Sequence, residues 1–426
     1  MENLKSQVSN LKSQILIVGA GPAGTSAAIR LARNGFRVCL IEREKFPREK
    51  LCGEFISPEC FAHFRELGVL DKMLAAGGDS IAKTVFYAPN GKSVAVPSQW
   101  FNQSENALGL SRARMDFLLL ERAAKLGVEV LQETSAVGLL FENGKICGIK
   151  ARQKNGETFE IAADLTIDAT GRANVLAKFA EKEKLRITNY ESRTTNYELR
   201  ITNYELQNAK IRTLHSAFRN RLVGFKAHLK NAEIERGRCE IYFFRGGYGG
   251  LNLVENDLSN HCFLIRADVV REFGGDAERI VRSVIFQNKR AAETLRHAAP
   301  VYDWLAVAID SFGLKGLNPA SGVLAIGDAG AFIDPFTGSG MLMALESGEI
   351  LARAIMESSS AEQIADVYKN LHAQKFQKRL RICSVMRRAA FVPNLSTFLI
   401  SALSTGIFPL KSLARATRPQ FSISEK

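Results

Sequence analysis

The run Ile15-Leu-Ile-Val-Gly-Ala-Gly-Pro-Ala-Gly24, followed by helix-like sequence and then Val38-Cys-Leu-Ile-Glu42, constrains this chain more than any other feature. It predicts a strand, a tight glycine turn, a helix, and a second strand that ends in an acid. Gly19 permits the turn, Gly21 lets the backbone approach a pyrophosphate, and Gly24 lets the helix pack tightly on the sheet. Ala20, Pro22 and Ala23 complete a loop that opens a helix N-terminus, whose N–H groups and positive dipole suit an anion. Glu42 lies eighteen residues beyond Gly24, where a carboxylate accepts hydrogen bonds from an adenosine ribose. An acid there disfavours a 2′-phosphate, so the expected ligand is NAD or FAD rather than NADP. Arg43, beside Glu42, and Val137, further along, are counted with the cofactor contacts.

With 426 residues, 46% of them hydrophobic and 24% charged, the chain is large enough for two packed domains of ordinary globular composition. Seven cysteines (Cys39, Cys52, Cys60, Cys147, Cys239, Cys262 and Cys383) form no C-x-x-C pair. That argues against a zinc site or disulfide framework and fits a reducing cytoplasm; no metal is expected. There is no signal-peptide pattern and no long apolar run to span a bilayer. The net charge of +13 is uneven: residues 361–426 carry eleven Lys or Arg against three acids, a net +8. This segment reads either as a solvated helix face or as a contact for an anionic membrane surface or acidic carrier protein. No nucleic-acid-binding motif is present.

Two stretches read as low-complexity additions. Residues 3–14 nearly repeat Asn-Leu-Lys-Ser-Gln, and Leu185-Arg-Ile-Thr-Asn-Tyr-Glu191 recurs at 192–198 and 199–205. Period seven suggests a coiled coil, but sustained apolar a and d positions are missing. Residues 181–208 therefore read as a tandem-repeat insertion forming a surface excursion or loop. The remainder divides into an extension at 1–13 and a discontinuous cofactor domain at 14–80, 105–180 and 315–355. A β-rich substrate domain follows at 81–104 and 209–314, and helices occupy 356–426. Residues 57–76 and 277–298 read as helical, and Asn90-Gly91 and Asn143-Gly144 as hairpin turns. The expected fold class is α/β, a Rossmann-like domain interrupted by a β-rich one.

Two further motifs turn a nucleotide site into a flavin site. Leu165-Thr-Ile-Asp-Ala-Thr-Gly-Arg172 ends a strand with Asp168, and Val323-Leu-Ala-Ile-Gly-Asp-Ala-Gly330 ends another with Asp328. Asp328 can hold ribityl hydroxyls. Gly338, Gly340 and Met341, at the start of the next helix, present N–H groups suited to the electron-rich edge of a reduced flavin. All three motifs in this order resemble the FAD-dependent group of aromatic hydroxylases, flavin halogenases and geranylgeranyl reductases, and the resemblance covers nearly the whole chain. It implies a glutathione-reductase-type flavoprotein fold with non-covalent FAD.

Residues Leu110-Ser-Arg112-Ala-Arg-Met-Asp116 resemble that group's Arg-x-x-x-Asp helix start, whose arginine contacts the cofactor. The role passes to Arg112, with Arg114 a weaker candidate; the alternative is a surface cation. Phe46-Pro-Arg-Glu-Lys-Leu-Cys52-Gly53-Glu54 is similar to the Cys-Gly segment of geranylgeranyl-reductase-like proteins, which lies against the flavin. Gly246-Gly-Tyr248-Gly-Gly-Leu251 resembles their Gly-Tyr substrate strand. Those reductases usually carry further glycines where this chain has Glu54-Phe55. Cys52 and Tyr248 are the candidate catalytic residues, although Cys52 also reads as inert packing. The only tryptophans, Trp100 and Trp304, do not form the Trp-x-Trp-x-Ile-Pro motif of halogenases. No histidine falls in a motif. With no second dinucleotide motif, NAD(P)H is expected as a transient donor. The resemblance implies a reductase or dehydrogenase acting on a hydrophobic, isoprenoid- or polyketide-like substrate. Its alternatives are an FAD monooxygenase using O2 and, in another class, a binding protein without catalysis.

Overall fold

The computed structural model describes residues 11–101, 105–193, 221–309, 312–391, 395–404 and 410–416. The chain is mixed α/β, with two large sheets. In the first, the strands run in the order Glu129–Leu131, Val38–Ile41, Leu11–Val18, Thr158–Asp168, Lys145–Gln153, Thr134–Glu142, and Val323–Ala325 also pairs with Thr158–Asp168. Four of these pairings are parallel. Val38–Ile41 is buried at every position, as a parallel strand covered on both faces must be. The other two pairings form an antiparallel meander. Its tight turn is Asn143-Gly144, both at positive φ, the backbone that a two-residue hairpin requires.

The glycine-loop helix Pro22–Arg33 lies against the late helix Gly340–Met356. The crossing is close because Gly348 has no side chain: a Cβ there would lie 2.6 Å from Ala23 O and 2.8 Å from Ala27 N. Ser26 Oγ donates to Leu345 O across the same contact (2.8 Å). The first and last parts of the cofactor region are thereby locked together.

The second sheet runs Ala299–Pro300, Leu222–Lys230, Ser259–Arg266, Gly247–Leu253, Arg238–Phe244, Lys83–Tyr87, Ser93–Pro97, with Leu305–Ile309 also paired to Leu222–Lys230. Its side chains alternate between two different environments, as the period of two dictates. Phe225, Tyr242, Leu251, Phe263 and Ile265 pack outward against Val269, Ile280, Val284 and Leu295. Lys226, Tyr248, Asn252, Cys262 and Leu264 belong to the opposite, inward face.

Several expectations need correction. The first strand begins at Leu11, not after the extension: Leu11, Lys12 and Ser13 pair with Ile161, Ala162 and Ala163. Backbone pairing is indifferent to the repetitive side chains. The helical stretch 57–76 is two helices, Cys60–Leu67 and Leu70–Leu74, because Gly68 takes a left-handed φ of 74° and ends the first. The stretch 277–298 is likewise broken into Ala277–Ser283 and Lys289–Thr294; Asn288 caps the second, accepting from the N–H groups of Arg290 and Ala291.

The first heptad of the repeat is not loop. It continues the helix Val175–Arg193, and the later heptads lie outside the described residues. That helix buries Leu176 and Ala180, while Leu185 is 58% exposed. Deleting 185–205 is therefore expected to change stability by less than about 1 kcal/mol, the range of surface changes. A melting curve checks it, and a large loss would mean that the insertion packs on the body.

Candidate cofactor and substrate site

One cavity of about 1370 Å³ runs between the sheets. Ligand pockets are typically about 300–1,000 Å³, so this one has room for a large cofactor and a substrate together. At one end are the glycine loop and Glu42; in the middle are the Cys52-Gly53 segment, Asp328 and the turn Gly338-Ser-Gly340; at the other end is an apolar chamber.

The three loop glycines do different work. Gly19 has φ +110°, and a Cβ there would lie 2.4 Å from Ala169 O. At Gly24 a Cβ would lie 2.0 Å from Gly19 O, so it packs on the loop itself as well as on Ala169. At Gly21 nothing lies nearer than Arg112 Nη2, at 4.0 Å, and that open space belongs to the cavity. Gly19, Gly21, Pro22 and Ala23 line the cavity, whereas Ala20 and Gly24 do not. The Ala20 N–H is used internally, donating to Glu42 Oε2 at 3.0 Å. Glu42 thus braces the loop and also lines the cavity. Its replacement by Ala removes both contributions, so FAD affinity is expected to fall by about 1–3 kcal/mol, measured by flavin fluorescence titration.

Arg112 is buried and lines the cavity; Arg114 is exposed and does not. The Arg-x-x-x-Asp spacing has a direct cause. One helical turn brings Asp116 under Arg112, with Nε–Oδ1 at 2.8 Å and Nη2–Oδ2 at 2.6 Å. Arg48 joins the same carboxylate at 2.9 Å. Lys50 lines the cavity beside these arginines. Burial, then Arg48, Arg112 and Arg43, push its ammonium down to about 8. Such a concentration of cations in front of an open glycine is a fitting counterpart to a diphosphate. Arg43 lines the rim and pairs with Glu44.

Asp328, Gly338, Gly340 and Met341 all line the cavity. Burial raises the Asp328 carboxyl, against the pull of Arg172 and Lys315. Asp168, by contrast, builds the turn: its carboxylate accepts from Thr170 N, Thr170 Oγ1 and Leu176 N. Val137 does not line the cavity; its neighbour Ala136 does, because adjacent strand residues face opposite ways. The residues present fit FAD: an open cradle, cations for the diphosphate, carboxylates for hydroxyls, and a glycine turn at a helix N-terminus.

Cys52 and Gly53 line the middle of the cavity, and Cys52 Sγ accepts from Glu54 N at 3.4 Å. Cys262 lines it too, its thiol pushed up to about 12 by burial and then by Cys52. Tyr248 lines the chamber, but its hydroxyl is committed, donating to Asp334 Oδ1 at 2.6 Å. Burial and then Asp334 hold that phenol well above its usual range, so it stays protonated. Its ring packs edge-on to Phe336 and Phe391, at 5.2 and 5.9 Å.

Spacing could not reveal one cluster. Glu54, at a left-handed φ of 51°, is fully buried. Its Oε1 accepts from Lys226 Nζ (2.7 Å) and Arg112 N (2.9 Å), and its Oε2 lies 2.6 Å from His228 Nε2. Lys226 also pairs with Glu49. The one signal in the sequence was the departure itself, a charged residue where glycines are usual in the proteins that the segment resembles.

These features define a dinucleotide-cofactor protein whose cavity joins a Rossmann-like sheet to a second sheet. The FAD binding domain family matches residues 12–225, and the chain belongs to that family; it is an FAD-dependent oxidoreductase. It is 24% identical over 377 residues to digeranylgeranylglycerophospholipid reductase 1 of Methanococcoides burtonii, covering 86% of this chain and 79% of that protein. Among solved structures, a flavin-dependent brominase superposes with a TM-score of 0.72 at 17% identity, over 95% of this chain and 94% of the other. A geranylgeranyl bacteriochlorophyll reductase-like protein from Thermoplasma acidophilum gives 0.70 at 19%, over 96% of each. Among the described residues, no helix is long and apolar enough to cross a membrane.

Proposed function

We propose that this oxidoreductase reduces a carbon–carbon double bond in a hydrophobic, isoprenoid- or polyketide-like substrate, with FAD carrying the electrons. The observation that carries this reading is the far chamber. Phe86, Phe243, Tyr248 and Phe336 form one wall, and Val385, Met386, Leu399, Ile400 and Leu403 of the C-terminal helices form another. Apolar walls of this length suit a hydrocarbon chain and offer a polar molecule little. The reductases among its relatives support the same reading, and the two-sheet arrangement favours a glutathione-reductase-type fold.

When bound, FAD supplies hydride chemistry. The chain's own residues hold it through the glycine loops and cations, exclude water with the aromatic wall, and keep the Tyr248 and Cys262 protons in place. Electrons arrive from NAD(P)H in transient contact. Leu305, Val307, Val385 and Leu399, which line the cavity and are also exposed, form an apolar rim. With Arg381 and Lys411 nearby in sequence, this rim supports entry of substrate from a membrane surface or carrier protein.

The second reading is a monooxygenase, which the same scaffold hosts. To separate the two, the bound FAD is reduced anaerobically and the spectrum followed after either substrate or oxygen is admitted. Reoxidation by a polyprenyl substrate without oxygen is the expected result. A long-lived oxygen adduct of the flavin, with oxygen incorporated into product, would overturn it.

A further inference from the structure

Reduction of a double bond by a reduced flavin takes up one solvent proton beside the hydride, and reduction of the flavin by electrons alone takes up another. Tyr248 is committed to Asp334, and Cys262 is held protonated by burial. On the inward face of the second sheet, Lys226, His228, Asn252 and Asn260 meet the Cys52–Glu54 segment. Asn260 Nδ2 donates to Cys52 O at 3.1 Å, and Asn252 Nδ2 to Glu54 O at 3.3 Å. Two asparagines thus fix the backbone of the segment, while the ionisable groups gather around one side chain.

We propose that Glu49, His228 and Glu54 form a proton inlet from solvent to the flavin side of the cavity. Glu49 is 42% exposed, His228 7% and Glu54 fully buried. Exposure falls from Glu49 through His228 to Glu54; both carboxylates line the cavity, and the imidazole bridges them from behind the lining. Glu49 Oε1 lies 3.9 Å from His228 Nδ1, a gap that a small rotation of an exposed side chain closes. His228 Nε2 lies 2.6 Å from Glu54 Oε2, a direct hydrogen bond. Imidazole is suited to the middle position, because it takes a proton on one nitrogen and releases one from the other. Glu54 is in the cavity lining beside Cys52.

Lys226 has a different part. Burial would lower its ammonium, but Glu54 and then Glu49 outweigh it and hold it raised. It remains a fixed cation bonded to both Glu54 and Glu49 and holds the two carboxylates in place. Glu49, Glu54 and His228 present ligand atoms within 4.8 Å of one another, yet the Lys226 ammonium binds both carboxylates and already supplies the positive charge. The left-handed φ of Glu54 fits the same reading: a backbone state that glycine takes freely is occupied by an acid at some conformational cost, and what the acid gains is this cluster.

The inference rests on FAD occupying the cavity, and the experiment separates the two. Two molecules of reduced methyl viologen deliver one electron each to the bound FAD without releasing a proton, and one solvent proton completes the anionic reduced flavin. Flavin bleaching is followed in stopped flow beside a pH-indicator dye in weak buffer. In the wild type, proton uptake should track bleaching. In His228→Gln and Glu49→Gln, bleaching amplitude and FAD content should be retained, with proton uptake slowed at least tenfold. Glu54→Gln should show the same lag if it folds; His228→Gln decides the matter if it does not. Uptake that still tracks bleaching in His228→Gln overturns the inlet alone. Wild-type protein that binds no FAD overturns the flavin reading and the inlet with it.

Discussion

Gly21→Val is expected to yield a folded protein that cannot hold FAD. The backbone at Gly21 is extended, with φ −74° and ψ −179°, so a branched residue is not strained there. A Cβ at this position meets nothing nearer than 4.0 Å, so the apo fold should melt within about 1 kcal/mol of the wild-type apo protein. The new side chain instead fills the space where a diphosphate must approach the helix N-terminus. Affinity should drop at least 100-fold, about 3 kcal/mol, and the purified variant should be colourless. Gly19→Ala provides the contrast. It forces a left-handed φ and places a methyl 2.4 Å from Ala169 O, so it should lose stability and cofactor together. Wild-type FAD content in Gly21→Val would mean that the site is misplaced.

Much of the fold was legible because its signals are local. The glycine loop, the alternating strands and the Asn143-Gly144 turn each carry their physics within about ten residues. The corrections fell where a neighbour in space outweighs a neighbour in sequence. Leu11, Lys12 and Ser13 look like a repetitive tail and become strand only because Ile161–Ala163 offers a partner edge. Gly68 ends a helix that periodicity alone would continue.

The site divides along the same line. Gly21 and Asp328 sit in short motifs, and Arg112 with Asp116 shows the one-turn spacing of a helical ion pair. The partners of Glu54 lie 172 and 174 residues away, on a strand of the other sheet. Lys226 and His228 alternate with Phe225 and Ala227, so their inward direction could be read from the strand period. What they meet there depends on how two sheets pack, and no local spacing encodes that. Val137 shows the same limit: its strand borders the cavity, but Ala136 is the neighbour whose position lines it, and the face of a strand position is set by its partners.

Asp116→Ala should be the most destabilising single change near the site, and its cost should depend on the cofactor. Asp116 is fully buried and accepts two bonds from Arg112 and one from Arg48. Their side chains are only 11% and 9% exposed, and Lys50 adds a third cation nearby. Removing the carboxylate leaves buried positive charges facing one another, which costs about 3–5 kcal/mol. In the apo protein Glu42 Oε2, 3.9 Å from Arg48 Nη2, offsets only part of it. With FAD bound, the diphosphate returns negative charge to the same end of the cavity, so part of the loss is recovered. The stability deficit, measured by urea unfolding, is therefore expected to shrink by at least about 1 kcal/mol on saturation with FAD, since a ligand bound only to the native state stabilises it by mass action. Asp116→Asn keeps the shape and one acceptor, and should fall between the two. An equal deficit with and without FAD would place the diphosphate away from Arg112 and Arg48, because only a nearby anion can distinguish the two states.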